Sequence, residues 1–151
     1  MPKSSLDDGD YEIRIPVRAY ELDTQGHLNS AVFLQYAEHA RWEHLAAAGI
    51  SAQALLASGV GPVFLQSTIN WTAEVRAGDA LTVSVTYQFG DAESKTFLID
   101  QSFRRDDEAA AATLSSRCGL LDLATRRMVP DPRRRLEELS PGFPALSVGR
   151  G

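Results

Sequence analysis

Between Glu21 and Phe33 the chain reads ELDTQGHLNSAVF. Asp23, His27 and Asn29 place an acid, an imidazole and an amide close together, with Gly26 among them. A carboxylate can take a proton from water or attack a carbonyl carbon itself. The apolar run that follows opens a helix. A helix N-terminus offers free N–H groups and a partial positive charge. Such amides stabilise an oxyanion as it forms on a carbonyl. A carboxylate beside them is the minimum kit for acyl hydrolysis. With an ordinary pKa of about 3.9, Asp is a weak base, better matched to an activated ester such as a thioester than to an amide. A purely structural reading also fits. Asp and Asn are frequent turn residues, Gly26 supplies a positive φ, and Asn29 caps a helix. From these residues alone both readings stay open.

The elements around this segment are legible from periodicity. YEIRIPV (11–17) alternates and reads as a strand, with Pro16 at an edge or near its end. The spacing predicts a helix from about Ala31 to Ala48, capped by Asn29 or Ser30 and stopped by Gly49. Its expected buried face is Phe33, Ala37, Ala40, Ala47 and Ala48, widened by Leu34 and Leu45. Ser51–Ser58 suggests a short second helix. Residues 63–75, 81–89, 96–103 and 110–123 read as strands separated by turns at RAGD, GDAES and RRDDE. One long helix followed by antiparallel strands is an α+β arrangement. Long strands leave an exposed edge, and an unpaired edge invites a second copy.

Composition narrows the field. The 151 residues suit one domain, with a leader at 1–10, a core domain at 11–139 and a Pro/Gly-rich tail at 140–151. The formal net charge of -5 makes nucleic acid a poor partner. One cysteine, Cys118, excludes an intrachain disulfide and suits a cytoplasmic location. No apolar run reaches the length of a membrane helix. There is no G-x-S-x-G elbow and no Walker loop. His39 and His44 are five apart, about 140° around a helix, so they do not form a zinc pair and read as solvated or interface residues. No metal or cofactor is expected.

The segment RAYELDTQGHLNSAVFLQYAEHAR resembles the opening of the hotdog-fold acyl-CoA thioesterases of the 4-hydroxybenzoyl-CoA thioesterase type. The matching positions are Asp23, Gly26, His27, Leu28, Asn29, Phe33 and the Glu38-His39-Ala40-Arg41 stretch, and RAGD resembles the family's second hairpin. The resemblance covers about residues 10–138. It implies one long helix wrapped by a curved antiparallel sheet of five to six strands. It implies homodimers or homotetramers with active sites at subunit interfaces, acting on an acyl-CoA or acyl-carrier-protein thioester. By carry-over, Asp23 is the catalytic carboxylate, as base or nucleophile, and the Ser30 amide, with that of Ala31, polarises the thioester carbonyl. His27 then orients substrate or water, and Asn29 holds the loop or caps the helix. Glu38 and Arg41 are expected to pair with each other; a second hotdog lineage uses a helix carboxylate, which keeps Glu38 as a candidate.

In PDPRRRLEEL (130–139), Asp131 caps a helix whose positive end carries Arg133 and Arg134, against the dipole rule. An anion would relieve them, which suggests the phosphates of CoA or a carrier; a solvated arginine run is the alternative reading. Two alternatives accompany the thioesterase reading. One is a hotdog hydratase or dehydratase, although DTQGH is one residue shorter than the usual D-x-N-P-x-H and lacks its proline. The other is a non-catalytic acyl-binding protein. The acyl group itself is not written in the sequence.

Overall fold

The computed structural model describes residues 11–140. The predicted leader and nearly all of the predicted tail lie outside them. Five strands form one antiparallel sheet: β1 (Tyr11–Pro16), β2 (Val60–Trp71), β3 (Ala80–Phe89), β4 (Phe97–Arg105) and β5 (Ala110–Asp122). Their order is β1-β3-β4-β5-β2, so β1 and β2 are the edges. Pro16 ends the edge strand β1, where a missing N–H costs no ladder bond.

Helix α1 (Ser30–Ala47) lies against the inner face of the sheet. Asn29 caps it, its Oδ1 accepting from Ala31 N–H at 3.0 Å. Gly49, at φ +85°, ends it. Gly49 N–H then reaches Ala46 O and Ile50 N–H reaches Leu45 O, the two bonds of a Schellman closure. The buried face is Phe33, Tyr36, Ala37, Ala40, His44 and Leu45. Two expectations are corrected here. Leu34 and Ala47 point outward, because steps of three and four from Phe33 favour Tyr36, Ala37, Ala40 and His44 instead. His44 is therefore a core residue and not a solvated one. Its ring stacks on Tyr11 at 5.0 Å and meets Tyr87 at 5.3 Å.

The alternating strands supply the other half of the core. Leu81, Val83, Val85 and Tyr87 of β3 and Phe97, Ile99 and Phe103 of β4 are buried. Each such side chain contributes roughly 1.5–3 kcal/mol on full burial. A short helix α2 (Ala52–Ala57), capped by Ser51, links α1 to β2. Strand β2 carries a bulge between Phe64 and Gln66. Before it, Pro62 and Phe64 lie opposite Leu120 and Cys118; after it, Ser67, Ile69 and Trp71 lie opposite Ser116, Leu114 and Ala112. Leu65 is the inserted residue, and both halves of the strand thereby keep their apolar set on the inner face. Helix α3 (Pro132–Leu139) closes the far end, where Ser140 Oγ donates to Ala48 O at 2.5 Å.

Candidate active site

The loop between β1 and α1 is built by its own polar groups. Arg18 N–H and Tyr36 Oη–H both donate to Glu21 Oε1, at 2.8 and 2.5 Å. Burial, followed by that bond to Glu21, pushes the Tyr36 phenol well above its ordinary pKa. Glu21 O accepts from Asn29 N–H, closing the loop at its base. Gly26 N–H donates to Asp23 O at 3.0 Å with Gly26 at φ +77°, so this turn needs a residue without a Cβ. Leu28 N–H donates to Val75 O at 2.7 Å, fastening the loop to the chain that leaves β2.

Asp23 Oδ1 accepts from Gln25 N–H at 2.9 Å and His27 N–H at 3.1 Å. The side chain is thereby oriented, and Oδ2 has no partner among the described residues. Asp23, His27, Asn29 and Ser30 line one cavity of about 530 Å³ with Phe33, Trp71 and the 72–75 segment. Within one chain the cavity is open, and Asp23 is exposed to it. Phe33 holds the wall, edge-on to Trp71 at 6.2 Å and to Phe103 at 5.3 Å. The predicted residues Asp23, His27, Asn29 and Ser30 thus meet at one cavity, and Gly26 shapes the turn behind them.

Two expectations change beside one that holds: Asn29 Oδ1 caps the helix, as expected. The same bond engages Ala31 N–H, which corrects that amide as an oxyanion donor and leaves Ser30 N–H, with no acceptor among the described residues. Arg41 does not turn to Glu38. Its Nη1 donates to Gln101 Oε1 at 3.0 Å, its guanidinium lies 4.2 Å over the Phe64 ring, and burial lowers its pKa.

Arg133 and Arg134 lie on α3 at the opposite end of α1 and pair with Glu137 at 2.8 Å and Glu138 at 3.4 Å. Glu38 borders a second cavity and not the Asp23 cavity. Sequence reasoning missed Glu74. Its carboxylate lines the Asp23 cavity, 3.5 Å from His27 Nε2, and the bonded Arg76 guanidinium, with help from His27, holds it below the usual carboxylate range. Nothing in its local sequence distinguishes it from a solvated strand-end acid.

Residues 17–142 match the model of the thioesterase-like superfamily. The chain belongs to the thioesterase-like superfamily. Among relatives in this superfamily, the long-chain acyl-CoA thioesterase FadM of Escherichia coli is 28% identical over 134 residues, covering 85% of this chain and 98% of that protein. The chloroplastic acyl-acyl carrier protein thioesterase ATL3 of Arabidopsis thaliana is 34% identical over 73 residues, 48% of this chain; the match spans only 38% of that protein. The crystal structure of Slr0204, a 1,4-dihydroxy-2-naphthoyl-CoA thioesterase from Synechocystis, superposes with TM-score 0.75 at 20% identity, covering 86% of this chain and 95% of that one. The fold is the hotdog fold expected from the sequence.

Proposed function

We propose that the protein hydrolyses an acyl thioester carried on CoA or an acyl-carrier protein. The observation that supports this most directly is one cavity shared by an oriented carboxylate, Asp23, and the free Ser30 N–H at the start of an 18-residue helix. The thioester oxygen accepts from Ser30 N–H, where the helix dipole favours developing negative charge. Asp23 Oδ2 takes a proton from water as the water oxygen bonds to the carbonyl carbon. The C–S bond then breaks, Asp23 returns its proton to the departing sulfur, and a carboxylic acid and a free thiol leave. In the nucleophilic variant Asp23 forms the bond itself, and water cleaves the resulting anhydride. His27, steadied by Glu74, orients the water or the substrate.

Asp23→Asn tests this. Release of free thiol from acyl-CoA is expected to fall about 100- to 10,000-fold in kcat, with an unchanged circular dichroism spectrum. Retained activity would remove Asp23 from the mechanism. Water addition to an enoyl-CoA with the thioester left intact would point to a hydratase instead.

The working unit in this reading is a dimer joined along β2. That 12-residue edge strand is exposed over most of its length, including Phe64, Leu65 and Trp71. Arg133 and Arg134 meet CoA phosphates only if a second subunit brings them to the Asp23 cavity. Neutralising both would then raise KM for a CoA thioester and leave KM for an N-acetylcysteamine thioester unchanged.

A further inference from the structure

Glu21 precedes Asp23 by two residues, yet its side chain is only 11% exposed. A carboxylate placed there gives up much of its hydration, and its partners must replace it. Tyr36 Oη–H and Arg18 N–H both donate to Oε1, at 2.5 and 2.8 Å, and the Arg18 guanidinium lies 3.7 Å from Oε2. Tyr36 is itself buried in the core. Burial keeps its phenol well above the ordinary pKa, so at neutral pH Tyr36 donates and Glu21 accepts.

Neither flanking element needs this contact for itself. Asn29 caps α1, and the β1 ladder closes at Pro16. What the contact fixes is the relation between loop and helix. Glu21 O accepts from Asn29 N–H at 3.0 Å, one residue before Ser30. The Glu21 side chain reaches Tyr36, six residues after Ser30 and about 9 Å further along α1. Glu21 is thus pinned to α1 at two points, on either side of the Ser30 N–H. Only Leu22, bridged to Leu28, separates Glu21 from Asp23. The distance from the Asp23 carboxylate to the Ser30 amide is therefore set through Glu21.

Resting on the thioesterase reading above, we propose that Glu21 and Tyr36 are positioning residues for that reaction, their bond holding Asp23 at its working distance from a carbonyl seated on Ser30 N–H. Neither side chain touches the reacting atoms, and both lie outside the lining of the Asp23 cavity. The bond acts on kcat because attack geometry is steep: a misplacement of about 1 Å costs about 100-fold. It leaves substrate affinity alone, since Phe33, Trp71 and the 72–75 segment supply the cavity wall.

Thiol release is measured on acetyl-, hexanoyl-, benzoyl- and palmitoyl-CoA, and the best of these is carried forward. Tyr36→Phe removes one hydroxyl and keeps the buried ring. Its kcat is expected to fall about 10- to 100-fold, with KM within about twofold of the unmodified protein. Glu21→Leu should behave alike. Glu21→Gln keeps an oxygen that can accept both bonds, and is expected to recover kcat to within about threefold. In an Asp23→Asn background, Tyr36→Phe should lower the residual rate no further, because a bond that works through Asp23 has nothing left to place. Full kcat in Tyr36→Phe, a loss carried by KM, a Glu21→Gln protein as slow as Glu21→Leu, or an additive loss beside Asp23→Asn each overturns the proposal. Should Tyr36→Phe not fold, the two Glu21 variants decide.

If the unmodified protein cleaves no thioester, the hydrolase reading fails by itself. The clamp is then judged by hydrogen exchange at the Gln25 and His27 amides, which donate to Asp23. Protection there that drops about tenfold in Tyr36→Phe, with the β4 amides unchanged, supports it; unaltered protection removes it.

Discussion

At the scale of single residues, the polar cluster before α1 divides its labour. Asp23 faces the cavity with one carboxylate oxygen committed to the loop, whereas Asn29 spends its oxygen on the helix. Stability and activity therefore separate between them. Asn29→Ala is expected to cost about 1 kcal/mol, a fall in Tm of about 2–4 °C for a domain of this size, whereas Asp23→Asn removes turnover. Scanning calorimetry beside a thiol-release assay checks the pair. Cys118 gives a second residue-level outcome. Burial pushes its thiol up to about 12, so it stays protonated at pH 8. Dithionitrobenzoate is expected to label it only after unfolding, and rapid labelling of the native protein would contradict the buried placement. The carboxylate, the glycine turn and the cap were legible because their residue types imply their geometry. Glu74 was not, because its place in the site comes from the pairing of His27 with Arg76 across the sheet end, a long-range contact with no local signature.

At the scale of elements, periodicity carried most of the reading. The strict alternation of β3 and β4 named their buried residues, and Asp131 and Pro132 marked the start of α3. The face of α1 was harder. Its alanine-rich stretch fits several wheel orientations, and only contact with Tyr11 and Tyr87 shows why a histidine at position 44 lies inside. Strand β5 is rich in alanine, which has low strand propensity, yet Ala111 and Ala112 are wholly buried, Ala112 directly opposite Phe103 of β4. Gly119 of β5 belongs to the same logic. A Cβ there would collide with Met128 Cε and come within 2.9 Å of Lys95 O. Gly119→Ala is accordingly expected to destabilise by about 1–3 kcal/mol in urea unfolding, a cost that Gly78→Ala would show only through its positive φ.

At the scale of the whole molecule, one edge of the sheet is blunted and the other is not. Strand β1 is six residues long and ends in proline, whereas β2 runs for twelve residues. The N–H of Ser67 points away from β5, since the ladder bond Thr72 N–H to Ala111 O puts the bonded pairs at even-numbered positions of this half of β2, and proline there removes a donor from the middle of that edge. In the dimeric reading, Ser67→Pro yields a monomer by analytical ultracentrifugation and abolishes turnover, although Asp23 itself is untouched. A monomer that keeps full activity would show that each chain works alone. That one long helix packs on an antiparallel sheet was readable from periodicity. The number of subunits was not, because a bare edge says that something pairs there without saying how many copies assemble.

The inserted residue Leu65 gives β2 two phases along one strand. Shortening the chain by that one position would force a choice. Either Pro62 and Phe64 would rotate to the outer face, or Ser67, Ile69 and Trp71 would. A single-codon deletion there would thus exchange one cavity wall for a polar surface while leaving the other cavity intact, making this edge the point where chain length, rather than side-chain identity, governs what the molecule can hold.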